Sequence, residues 1–126
     1  GLAVLVGGGM AIYLVLVTCP TDAAESLAEA LVEKRLAACV NILPQIRSVY
    51  RWSTPQPATS QAAERKATEI CKDAESLLLI KTAQNRYEAL CAGILALHPY
   101  ELPEIVAVNP ERGHAPYLEW VLAATG

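Results

Sequence analysis

Phenylalanine is absent from this 126-residue chain, methionine occurs once, and there are only two histidines. Among the four cysteines, Cys19, Cys39, Cys71 and Cys91, no CxxC or CxxH pair occurs, which excludes a zinc finger or a thioredoxin-type redox motif. GxGxxG, P-loop, GxSxG and HExxH motifs are all missing. Gly7-Gly8-Gly9 precedes a strand-like run, whereas a phosphate-cradling loop should follow one. Charge of either sign is scarce, with 10 Lys+Arg against 13 Asp+Glu and a net charge of -3. That balance gives no basic footprint for nucleic acid or an anionic membrane. The chain also lacks an N-x-S/T acceptor, and its sparse cysteines suit reduced thiols, so a cytoplasmic setting is expected.

Hydrophobic residues, at 53%, supply ample core material for one small domain. The first 21 residues carry no charge, and a hydropathy scan flags them as a membrane segment or signal peptide. The glycine triplet interrupts the run, no basic region precedes it, and Met10 sits directly before AIYLVLVT. Residues 1–9 are therefore expected to be an upstream leader or added residues outside the fold, with a single domain over 10–126 and no membrane anchor.

Ala11 to Thr18 is a short apolar run that reads as a buried strand. Asp22 stands three residues before Glu25, and Ala24, Leu27, Ala28 and Leu31 recur at helical spacing, predicting a capped helix over 23–36. Residues 39–52 predict a long strand bent at Pro44, and Glu75 to Thr82 a central strand. Between them, residues 53–69 hold two prolines and little apolar material, which predicts a flexible loop insertion. Tyr87, Leu90, Cys91, Ile94, Leu95 and Leu97 form the apolar stripe of a helix over 84–97, stopped by Pro99. A strand over 102–108 and a short C-terminal helix over 116–124 complete the chain. Two strand–helix–strand units joined by an extended hairpin make an α+β, ferredoxin-like split βαβ sandwich.

Cys19 ends the first strand beside a helix start, where the helix dipole is expected to favour thiolate. His98 ends the second helix and Glu104 follows six residues later. Sulfur, imidazole and carboxylate together suit copper or another late divalent transition metal. The alternatives are plain structural roles: an inert buried cysteine, a histidine making one hydrogen bond at a helix end, and, for Glu101 with Glu104, two surface carboxylates. Tyr50, Trp52, Tyr117 and Trp120 read as core or subunit packing.

Thr18-Cys19-Pro20, the run Val32 to Asn41, Ser48-Val49-Tyr50-Arg51-Trp52, Ile80-Lys81-Thr82, His98-Pro99-Tyr100-Glu101 with Pro103-Glu104, and Tyr117-Leu118-Glu119-Trp120 resemble the CutA divalent-cation-tolerance family, over about residues 10–122. The resemblance implies a homotrimer whose long hairpin strands pair across subunits, with no enzymatic turnover. It also implies divalent metal at the positions of Cys19, His98 and Glu104. The same trimeric fold is similar to PII signalling proteins, so the alternative is a small-molecule effector bound in clefts between subunits, an anion held by Lys81, Arg35 or Arg51. An acylphosphatase-like enzyme is the weakest reading, because TCPTDAA replaces the glycine-rich, arginine-bearing loop it needs. The chain departs from the family between Trp52 and Ile80, where the family has a compact hairpin.

Overall fold

The computed structural model describes residues 5, 6, 9–52 and 69–126, and side chains from residue 11 onward. A four-stranded sheet is built from β1 (Ile12–Cys19), β2 (Cys39–Arg51), β3 (Ile70–Ala83) and β4 (Ile105–Val108). Helix α1 (Thr21–Glu33) follows β1, α2 (Tyr87–Leu97) follows a short 3-10 turn at Gln84–Arg86, and α3 (Ala115–Ala124) closes the chain. The strand order is β2-β3-β1-β4 with every neighbour antiparallel, so β1 and β2 run parallel with β3 inserted between them. This is the ferredoxin-like split βαβ arrangement expected from the sequence. Leu5–Val6 and Gly9–Met10 pair with each other in a separate two-stranded ribbon. The expected insertion at 53–69 lies, apart from Glu69, outside the described residues.

Strand alternation places Val15, Val17 and Cys19 of β1 with Leu78 and Ile80 of β3 on one face, beneath Ala24, Leu27 and Leu31 of α1 and Leu90 and Ile94 of α2. These residues form the main core. Gly93 of α2 lies against the turn that follows α1, where an added Cβ would lie 2.7 Å from Leu36 Cδ1. Leu95 and Leu97, expected on the apolar stripe, are instead exposed at 56% and 43%.

Helix α1 starts two residues earlier and ends three residues earlier than its pattern predicts. Pro20 occupies the N-cap with no side-chain cap, so the Asp22–Glu25 spacing does not form a capping box. At the other end, Arg35 adopts φ 58°, its N–H donates to Val32 O, and Leu36 N–H donates to Leu31 O. That pair of bonds is a Schellman stop with a non-glycine residue in the left-handed position. Thr82 Oγ1 then donates to Leu36 O at 2.7 Å inside the core.

β3 starts at Ile70, five residues before the predicted strand, because its first half pairs only with β2. Ile46–Arg51 matches Ile70–Glu75 in a two-stranded ribbon, while β1 covers β3 only from Ser76 to Ala83. The register slips by one residue between Leu43 and Ile46, where Pro44 offers no N–H and Gln45 takes φ 59°. The bend thus launches the ribbon past the body of the domain.

The second face of the sheet carries Leu14 and Leu16 of β1, Leu43 of β2, Leu77 and Leu79 of β3, and Val106 and Val108 of β4. Pairings Leu16–Leu79, Leu16–Val106 and Leu43–Leu77 join them into one apolar surface. Helix α3 covers only one end, packing Leu118 and Val121 on Ile12. Val106 and Val108 remain 52% and 47% exposed. Among the described residues, no helix is long and apolar enough to cross a membrane.

Candidate functional site: an acidic, aromatic cleft at the strand ends

The 0% exposed Cys19 points into the core at the end of β1. Burial first, then the carboxylates of Glu75 and Asp22, push its thiol from the ordinary 9.0 up to about 11. The expectation that the start of α1 would favour thiolate is therefore overturned: desolvation and two nearby negative charges outweigh the helix dipole.

His98 stops α2 because Pro99 holds it extended, at φ -73° and ψ 137°. The ring lies beside the β1 end, with Nε2 2.8 Å from Thr18 O. The Tyr100 N–H donates to Nδ1 at 3.0 Å. Nδ1 must then be the unprotonated nitrogen and Nε2 the donor, so a neutral imidazole uses both of its nitrogens. Glu104 is exposed just before β4. The three residues thus approach the same end of the sheet in different conditions: a core thiol, an imidazole with both nitrogens engaged, and a solvated carboxylate. Among the described residues, no group of three or more His, Cys, Asp or Glu side chains is arranged to hold a metal ion. Ligation by this set would require the His98–Tyr100 bond to open and Cys19 to lose its proton.

What the geometry does build is a cleft of about 400 Å³, lined among others by Thr18, Tyr50, Trp52, Asp73, Glu75, Tyr100 and Glu104. One wall comes from the β2–β3 ribbon and the other from the segment between α2 and β4. Glu75, only 6% exposed, accepts from Tyr100 Oη at 3.3 Å, and Tyr50 Oη donates to Asp73. The Tyr50 and Trp52 rings meet edge to face at 6.1 Å, and the His98 and Tyr100 rings lie 4.9 Å apart. Burial, then the charges of Glu75 and Asp73, raise Tyr100 well above the ordinary tyrosine value. Its phenol stays protonated and donates.

Of the cations considered for an anionic effector, only Arg51 lines this cleft. Lys81 donates to Asn41 Oδ1, and Arg35 reaches Ala124 O. The carboxylates Asp73 and Glu75 went unread in the sequence, since neither belongs to a motif. No local pattern marked them: Lys72 and Ala74 beside Asp73 are exposed, and the site forms only where the ribbon meets the segment after α2.

A family model described as CutA1 divalent ion tolerance protein matches residues 13–124. The chain belongs to the CutA1 family. It is 42% identical over 110 residues to human protein CutA, covering 86% of this chain and 54% of that protein. It is likewise 42% identical over 114 residues to the divalent-cation tolerance protein CutA of Thermus thermophilus, covering 90% of this chain and 97% of that one. The chain therefore spans about half the length of the human relative and nearly all of the bacterial one. The solved structure of the Thermus thermophilus protein superposes with a TM-score of 0.77 over 91% of this chain and 99% of its own. A PII-like protein CutA from a Nostoc species, 31% identical, superposes with a TM-score of 0.75 over 90% of this chain and 97% of its own. Membership of this CutA1 family agrees with the ferredoxin-like sheet order found here.

Proposed function

We propose that this chain is a non-catalytic, homotrimeric, cytoplasmic CutA1 protein that binds divalent cations in metal tolerance. The observation that carries the assembly is the uncovered apolar face running from Leu43 across Leu77, Leu79 and Leu16 to Val106. A surface of that kind on one subunit, beside a projecting two-stranded ribbon with an exposed Val49, favours association with copies of itself. Residues 10–126 are the associating domain.

Copper or a related divalent transition metal is taken by Cys19, His98 and Glu104 after rearrangement of the β1 end, and the acidic cleft beside them raises the local cation concentration. The non-catalytic reading is supported by the state of two groups. A thiol held up to about 11 is a poor nucleophile at neutral pH, and the His98 imidazole has both nitrogens engaged in hydrogen bonds.

Light scattering tests the assembly, with three times the subunit mass expected and a monomer refuting it. Calorimetric titration with Cu(II) tests the ligands. Cys19→Ala and His98→Ala should each weaken binding by at least about tenfold, and equal affinity in all three proteins rejects the assignment.

A second reading, a PII-like effector sensor, is favoured by the similarity to the PII-like protein CutA of a Nostoc species and by a cleft of small-molecule size. Nucleic acid and membrane partners have no support in the charge distribution.

A further inference from the structure

The chain between α2 and β4, His98 to Glu104, has no regular secondary structure, yet it passes the end of β1 where Cys19 is buried. Its own packing is thin. Pro99, Glu101, Leu102 and Glu104 are exposed, Tyr100 and Pro103 are half-buried, and His98 is buried. Two side-chain hydrogen bonds tie the segment to the sheet: His98 Nε2 donates to Thr18 O at 2.8 Å, and Tyr100 Oη donates to Glu75 at 3.3 Å. A third, from Tyr100 N–H to His98 Nδ1 at 3.0 Å, joins the two anchors to each other. Pro99 and Pro103 restrict the backbone on either side of Tyr100, so the segment moves as one piece.

We propose that His98 to Glu104 is a strap latched over the β1 end by the hydrogen bond from Tyr100 to Glu75, and that release of this latch exposes Cys19 and frees His98 in one opening. Glu75 is the fixed half of the latch: it is buried on β3, next to the Ser76 that pairs opposite Cys19. The phenol is the mobile half, carried on irregular chain. Opening hands a few hydrogen-bonding groups to water and leaves the helix–sheet core packed, so it belongs to local fluctuations that lie below global unfolding. Any ligand that needs Cys19 binds the open form, and the latch lowers its apparent affinity by the fraction that is open. This role rests on the metal-binding reading and supplies the rearrangement that ligation by Cys19, His98 and Glu104 requires.

The test measures alkylation of Cys19 by iodoacetamide in the native assembly at constant pH, read peptide by peptide by mass spectrometry, alongside hydrogen exchange of the residue 100 amide. In the native protein the two rates should report one opening constant, agreeing within roughly threefold. Tyr100→Phe removes only the phenol oxygen and should accelerate both by on the order of tenfold. Val121→Ala, under α3 on the opposite face of the sheet, lowers global stability without touching the strap and should leave both rates within about twofold of the native ones. Unchanged rates in Tyr100→Phe, acceleration of one probe without the other, or equal acceleration in Val121→Ala overturns the proposal. No metal enters either measurement, so failure here is distinguishable from failure of the metal-binding reading, which the Cu(II) titration reports.

Discussion

Replacing Cys19 by alanine should flatten the alkaline limb of the protein's stability curve. In the folded chain the thiol titrates near 11, against an ordinary 9.0 that the unfolded chain retains. Between those values the unfolded state has released the proton and the folded state still holds it, so stability falls as pH rises. The contribution is fully present below about 9 and is lost as pH climbs through about 11. At about 1.4 kcal/mol per pH unit, that interval amounts to at most about 3 kcal/mol. Cys19→Ala removes this dependence. Its cavity cost, about 1 kcal/mol, lowers the whole curve without tilting it. Tyr100, also raised, tilts both proteins alike and cancels in the difference. The assay is denaturant unfolding at fixed subunit concentration from about pH 8 to about pH 11, with the wild-type curve subtracted from that of the variant. Curves that remain parallel would show that burial and Glu75 do not hold the proton on sulfur, and would refute the placement of Cys19 in the core.

If Cu(II) is captured at Cys19, binding must displace that proton, so the apparent affinity should rise about tenfold per pH unit around neutrality; a flat profile by competition titration would show that the sulfur is not a ligand. Leu31→Ala empties a fully buried position between α1 and the sheet and should cost about 3 kcal/mol in urea unfolding, with a loss below about 1 arguing against tight packing there. Arg35→Gly relieves a left-handed φ and should add up to about 1 kcal/mol, read as a rise in the thermal midpoint. A fall instead would mean that the Arg35 bond to Ala124 O matters more than the backbone. Val106→Asp places a charge on the uncovered sheet face and should lower the mass seen by light scattering while far-UV circular dichroism stays native.

The order of elements was readable because hydrophobic period changes cleanly from two to 3.6 along the chain. Ends were harder. Helix α1 stops at Glu33 through Arg35 in a conformation usually given to glycine, so no residue type marked the stop, and the apolar Leu36 reads as more helix. β3 reaches back to Ile70 through Cys71, Lys72, Asp73 and Ala74, a stretch whose pairing comes from β2 across the ribbon and not from its own alternation. The candidate site divides along the same line. Cys19, His98 and Glu104 were found as metal-binding residue types, but burial of a thiol and the partners of an imidazole depend on tertiary neighbours. Glu75 and Tyr100, 25 residues apart, meet only because the ribbon folds against the segment after α2.

Glu75 is the physical link between the two halves of this region. Its charge contributes to the rise of both Cys19 and Tyr100, so a cation seated in the cleft would offset part of what holds the proton on Cys19. The order of causes decides how far that goes. For Cys19, desolvation is the largest contribution and the Glu75 charge comes after it, so neutralising Glu75 leaves the sulfur largely protonated at neutral pH. Charge alone therefore cannot arm the thiol. Exposure of the β1 end, with release of Thr18 O and Tyr100 N–H from His98, has to come with it. A soft-metal site at Cys19 and His98 thus requires a conformational step.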